Sequence, residues 1–179
     1  MNRKLLAVVI VLLLVVIVFG LISSNIDYVN SSIPEISNKI STGDTNYNNA
    51  VKDMNNRQYD NALNELNTAK SSFSSANSLL SDIKNDSSID SNNVYSSYLE
   101  ATSNEVNYKE NASSNLLIAV NALKNNNIPT GNNYIYYAGN DMSQALIYQQ
   151  ERNQIVESNP NKFNNNTINI WFLLFYVKY

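Results

Sequence analysis

The apolar run LLAVVIVLLLVVIVFGLI, from Leu5 to Ile22, constrains this chain more than any other part of it. Only Gly20 falls outside the hydrophobic set. About 18 to 20 apolar residues are what a helix needs to cross roughly 30 Å of hydrocarbon, and a helix satisfies its own backbone groups there. The run is predicted to be a transmembrane helix over 5–22, with Leu5, Leu12, Val16, Phe19 and Ile22 among the residues of this membrane anchor. Arg3 and Lys4 precede it, and the next basic residue is Lys39. That bias places residues 1–4 in the cytoplasm and everything after Ile22 outside. A cleaved signal peptide has an apolar core of about 7 to 15 residues and a small-residue cleavage site. Here the core is longer and Phe19-Gly20-Leu21-Ile22-Ser23-Ser24 makes a poor site, which favours an uncleaved anchor.

Composition then removes whole classes of function. The chain has no cysteine and no histidine, so disulfides, thiol nucleophiles, cysteine metal sites and imidazole bases are all excluded. Its 12 basic residues against 15 acidic ones leave no footprint for a phosphate backbone, and nucleic acid is not an expected partner.

Residues 23–158 are rich in Asn and Ser, yet their apolar residues are spaced as in helices. Ile33, Ile36, Ile40, Tyr47, Val51 and Met54 step by three, four or seven, predicting a helix over about 34–56 that opens at Pro34, with Gly43 as a possible kink. Tyr59, Ala62, Leu63, Leu66, Ala69, Phe73, Ala76, Leu80 and Ile83 predict a second helix over about 58–85. A polar break follows. The stripe Tyr95, Tyr98, Leu99, Val106, Ala112, Leu116, Ala119, Val120 and Leu123 predicts a third over about 92–125, with Glu105 and Lys109 as an i,i+4 pair on its outer side. Pro129-Thr130-Gly131 punctuates the chain. Tyr134, Ile135, Ala138, Met142, Ala145, Leu146, Gln149, Arg152 and Ile155 predict a fourth helix over about 131–158, closed by Asn159-Pro160.

The expected fold is therefore all-α, a transmembrane helix followed by an antiparallel bundle of about four helices. A strict coiled coil is disfavoured, because Ala, Tyr, Ser and Thr occupy many seam positions. The tyrosines are expected to pack in the core with Asn and Ser as hydroxyl partners. In the cluster Tyr134, Tyr136, Tyr137 at least one ring is expected to face water or a partner.

Tyr59, Ala62, Leu66 and Ala69, with Ala50 twelve residues before Ala62, resemble the small-and-aromatic pattern of a tetratricopeptide repeat. The resemblance covers about residues 46–73 and implies a helical hairpin that binds peptides or partner proteins. It departs at Arg57, where the family has glycine, and at Ser74, where it has proline. A fainter copy falls at Met142, Ala145, Gln149 and Arg152.

Candidate chemistry is sparse. Asp86, Ser88, Asp90 and Asn92 alternate like calcium-loop ligands, as do Asp44, Asn46 and Asn48, but neither set has the sixth-position Gly or twelfth-position Glu. Turn chemistry between helices accounts for both. Glu100, Glu105, Glu110, Glu151 and Glu157 have no neighbouring base in sequence and are expected on solvated faces. Sequons at Asn30, Asn85, Asn111 and Asn165 number no more than the roughly five that chance yields. No cofactor, metal or catalytic residue is expected.

After an Asn-rich linker, 159–167, ten of the residues 168–179 are hydrophobic. This apolar tail is too short to span as a helix, and Trp171, Phe172, Phe175 and Tyr176 suit the headgroup boundary. The functional expectation is a single-pass, membrane-anchored cell-surface protein with a helical binding or scaffolding ectodomain and no catalysis. Its partners would be lipid through the N-terminal helix and a protein or a second copy. The alternative is the sensory ectodomain of a truncated receptor, with the tail as the start of a second span.

Overall fold

A computed structural model describes residues 26–85, 93–160 and 162–163. They form four α-helices: α1 Ile26–Asn55, α2 Tyr59–Lys84, α3 Val94–Lys124 and α4 Ile128–Ser158. No strand occurs among the described residues, and no helix there is long and apolar enough to cross a membrane. The candidate span 5–22, its flanking Arg3 and Lys4, and the tail residues Trp171, Phe172, Phe175 and Tyr176 lie outside the described residues.

The Asn and Ser content is compatible with helix because these side chains satisfy themselves on the helix backbone. Thr45, Thr68, Ser75, Thr102, Ser113, Ser114 and Ser143 each donate to the carbonyl four residues earlier, and Asn46 and Asn121 do the same through their amides. Thr102 and Ser113 are fully buried with these bonds made. A polar side chain so used adds no unpaired group to a helix interface.

The apolar stripes become the core. Ile33, Ile36, Ile40 and Tyr47 of α1, Leu66, Phe73, Leu80 and Ile83 of α2, Tyr98, Leu99, Val106, Leu116 and Val120 of α3, and Met142 of α4 are buried in one cluster. Alanines fill the close approaches: Ala50, Ala62, Ala69, Ala76, Ala112, Ala119 and Ala145 are all fully covered.

Cross-links between helices fix their directions. Asp60 at the start of α2 pairs with Lys124 at the end of α3, and Asn77 reaches Asn107 and Glu110. Between α3 and α4, Asn115 bonds Asp141 at 2.7 Å and the rings of Tyr108 and Tyr148 stack at 5.6 Å. Each helix is thus antiparallel to the next. The extensive interfaces are α1–α2, α2–α3 and α3–α4.

Several sequence expectations change. Helix α1 begins at Ile26, so Pro34 lies inside it; proline's fixed φ suits a helix, and the cost is one missing backbone bond and local crowding. Pro129-Thr130-Gly131 is no break either. It forms the first turn of α4, capped by Asn127, whose side chain accepts from Thr130 N. Gly43 lies within the continuous helix α1. A Cβ there would sit 2.4 Å from Phe73 Cε1, so glycine lets the Phe73 ring lie against the α1 backbone. Finally, the linker 159–167 is not all linker. The chain turns after Asn159, and Phe163 is 0% exposed, its ring 5.5 Å from those of Tyr95 and Tyr98.

Candidate functional site: a buried charge cluster and an exposed face of α4

Four charged side chains meet inside the bundle. Lys109 of α3 places Nζ 2.8 Å from Asp44 Oδ2 of α1 and 2.8 Å from Glu105 Oε1 one turn back on its own helix. Arg152 of α4 places Nη1 2.7 Å from Glu105 Oε2. The chain Asp44–Lys109–Glu105–Arg152 thus alternates in sign and ties three helices together. Glu105 and Lys109 are wholly buried and Arg152 nearly so, while Asp44 keeps about a tenth of its side chain exposed. The Phe73 ring lies 6.0 Å from the Lys109 ammonium.

The pair Glu105–Lys109 is therefore not on the outer side of its helix as the sequence led us to expect, and Glu105 is not on a solvated face. The phase of the stripe explains why. Stepping from Tyr98 through Thr102, Glu105, Lys109 and Ala112 to Leu116 alternates four and three residues, so the two charges fill the gap in the apolar stripe between Tyr98 and Ala112. Asp44 is likewise mid-helix and turned to the core, not in a turn between helices. Its position four residues after Ile40 and three before Tyr47 carried that signal. Arg152 was correctly on the stripe, but its reason for being there, Glu105, sits 47 positions away in sequence.

The electrostatics follow from sharing. Burial pushes the Asp44 carboxyl up to about 6, against the pull of Lys109, whose ammonium is divided between two carboxylates. Burial alone would lower the Lys109 amine, but Glu105 and Asp44 beside it hold it above its ordinary value. The surroundings of Lys109 thus favour its charged form, while those of Asp44 favour its protonated one. Such a cluster has the makings of a register device. Sliding or rotating α4 or α1 would strand a buried charge, at a cost of several kcal/mol.

Among the described residues no group of three acidic side chains is placed to hold a metal ion. Asp44 faces Lys109, and Asn46 donates to the Thr42 carbonyl; the other alternating set, Asp86 to Asn92, lies outside the described residues. A shallow polar groove of about 450 Å³ runs along α2, lined by Lys70, Ser71, Ser74, Ser75, Ser78 and Glu110 among others. None of the four cluster residues lines it.

The outer surface is uneven. Large apolar residues left exposed among the described residues are Ile118 on α3 and Ile128, Tyr136, Tyr137 and Ile147 on α4. Tyr136 is 62% and Tyr137 46% exposed. Tyr134 is half-buried and packs edge-on against Tyr137, with ring centroids 5.7 Å apart. The expectation that the tyrosine cluster turns at least one ring outward holds for two. Tyr136 and Ile147 are eleven residues apart, about three helical turns, so they lie on one side of α4.

In comparison with family models, curated proteins and solved structures, the chain finds no match.

Proposed function

We propose that this chain is a membrane-anchored cell-surface protein whose helical domain binds or scaffolds a protein partner outside the cell, without catalysis of its own. The anchor rests on the apolar run 5–22 and the basic residues Arg3 and Lys4 before it. The observation that carries the binding role is the concentration of exposed apolar side chains on α4: Ile128, Tyr136, Tyr137 and Ile147. Tyrosines on a rigid helix supply large contact area with little rotamer entropy to lose, which is what a protein-binding face requires. The charge cluster supports the same reading from within, by holding α4 in register against α1 and α3.

Two measurements test this. Protease added to intact cells should remove the region after Ile22, and its protection there would reverse the orientation. Cross-linking through a photoreactive group at position 136 should capture a defined protein or a second copy, and unchanged monomer at cell-surface concentration would remove the binding role.

One observation favours the sensory-ectodomain alternative. The start of α1 and the end of α4 lie at the same end of the bundle, as a span–bundle–span arrangement would require. Reading the coding sequence past Tyr179 tests it: a continuation into a signalling helix supports a sensor, and a stop removes it.

A further inference from the structure

An ammonium facing a carboxylate differs by one proton from an amine facing a carboxylic acid, and those are the two halves of an amide bond. What separates an ordinary ion pair from one that condenses is that its ends are held together, water is kept out and a third group carries protons. The centre of the bundle supplies all of these. Lys109 Nζ lies 2.8 Å from Asp44 Oδ2, and the two side chains come from the middles of α3 and α1, where neither backbone can drift. Lys109 is wholly buried, Asp44 keeps only an edge exposed, and the buried Phe73 ring of α2 lies over the ammonium at 6.0 Å. Glu105 Oε1 is 2.8 Å from the same nitrogen, and Arg152 engages the other Glu105 oxygen, which leaves Oε1 aimed at Lys109. Burial favours the uncharged form of both Asp44 and Lys109. Glu105 and Asp44 together hold Lys109 charged, and a proton on Asp44 removes one of those two charges.

We propose that the folded chain joins Lys109 to Asp44 through an amide bond, with Glu105 as the catalytic carboxylate. The ammonium first passes a proton to the Asp44 carboxylate, leaving an amine and a carboxylic acid. Lys109 Nζ then attacks Asp44 Cγ, the N–C bond forms, and Glu105 takes a proton from the nitrogen. Glu105 returns that proton to the Asp44 hydroxyl, the C–O bond breaks and water leaves by the exposed edge of Asp44. One ammonium and one carboxylate become one amide and one water, Glu105 is regenerated, and nothing is oxidised or reduced. Groups held in reacting geometry act on each other at effective molarities of up to about 10⁵–10⁸ M, and exclusion of water opposes the reverse step. The reaction also removes two buried ions, whose desolvation works against the fold, while Glu105 and Arg152 stay paired. The charge cluster and the acidity of Asp44 belong to the open form in which the chain first folds. In the joined form a pull on the start of α1 passes from position 44 straight to α3 at position 109, sparing α2 and the turns on either side of it.

The test is the intact mass of the full chain, purified in mild detergent and followed over days. The expected result is the loss of one water from most molecules. Trypsin should then release residues 40–52 joined to residues 85–124, with the chain uncut after Lys109. K109M should keep its full mass. E105Q, shown by circular dichroism to keep its helices, should join about 100-fold more slowly or worse, the usual loss when a positioned proton carrier is removed; joining at the natural rate would overturn the mechanism. A natural chain that is folded and keeps its full mass overturns the proposal whether or not E105Q folds. Water lost without the joined fragment overturns it too, since dehydration of a single side chain gives the same mass. So does a joined fragment that forms equally in a chain kept in denaturant, because the bond would then owe nothing to the buried site.

Discussion

Asp44 is the residue at which sequence, packing and proton binding meet. Its folded-state carboxyl titrates near 6 against an ordinary 3.8, so the fold prefers it protonated. The sign follows directly: its contribution to stability is complete below about pH 4 and is lost as pH rises to about 6 and beyond. The difference amounts to about 3 kcal/mol. Asparagine imitates the protonated form, so D44N should gain on the natural chain by roughly that amount between pH 4 and pH 7.5, measured by denaturant melts in mild detergent. A constant difference across that window would contradict the assignment. Removing Lys109 has the opposite character. K109M leaves Asp44 unpaired while Glu105 keeps Arg152, and should cost about 3–5 kcal/mol at pH 7.5, shrinking as the buffer is acidified and Asp44 takes a proton. Next to Asp44, Gly43 makes room for a ring. G43A would gain about 1 kcal/mol of helix propensity, but the added methyl must displace the fully buried Phe73 ring. Overpacking of this kind costs about 1–3 kcal/mol, so the net effect expected in the same melts is a loss.

Each helix stops for reasons that can be tested locally. Helices α1 and α3 end in the same way: Arg57 N and Gln58 N donate to the carbonyls of Met54 and Asp53, and Asn126 N and Asn127 N to those of Leu123 and Ala122. Both turns need a residue in the left-handed region, supplied by Arg57 at φ 61° and Asn126 at φ 59°. That conformation costs a side chain with a Cβ about 1–2 kcal/mol, less for asparagine, and glycine nothing. R57G should therefore stabilise the chain by about 1 kcal/mol and N126G by distinctly less; equal gains, or a loss at 57, would refute the explanation. The helix starts differ in kind. Asn93 and Asn127 cap α3 and α4 with their side chains, whereas Gln58 makes no side-chain cap to α2. Helix α2 instead begins directly from the turn, with Ala62 N donating to the Gln58 carbonyl.

At the scale of the whole molecule, the surface of α4 and the fold it belongs to should be separable. Tyr136, Tyr137 and Ile147 are exposed, so Y136S/Y137S/I147S should leave the thermal melt within about the effect of ordinary surface substitutions, a few tenths to half a kcal/mol each. With the photoreactive group moved one turn along α4 to the exposed position of Asn140, which captures the partner in the natural chain, the same variant should lose cross-linking to it. A variant that unfolds would mean that this face is part of the core's support, and one that binds normally would move the interface elsewhere.

The sequence by itself determined that the middle of the chain is four helices and which stripes they bury. Spacing at three and four residues is a local property, and it put Ile33 to Tyr47, Ala62 to Ile83, Tyr98 to Val120 and Ala138 to Ala145 on faces that are now covered. It also carried the phase of Glu105, Lys109 and Asp44, but a charge on an apolar stripe has no meaning until its partner is known. Those partners, Asp44 for Lys109 and Arg152 for Glu105, are brought together from distant parts of the chain by the reversal of each helix on the last. Only the tertiary structure could turn an expected surface pair into a buried cluster, seat Phe73 on Gly43, or draw Phe163 out of an Asn-rich linker into the core. Desolvation and close approach are properties of neighbours in space, and spacing along the chain does not encode them.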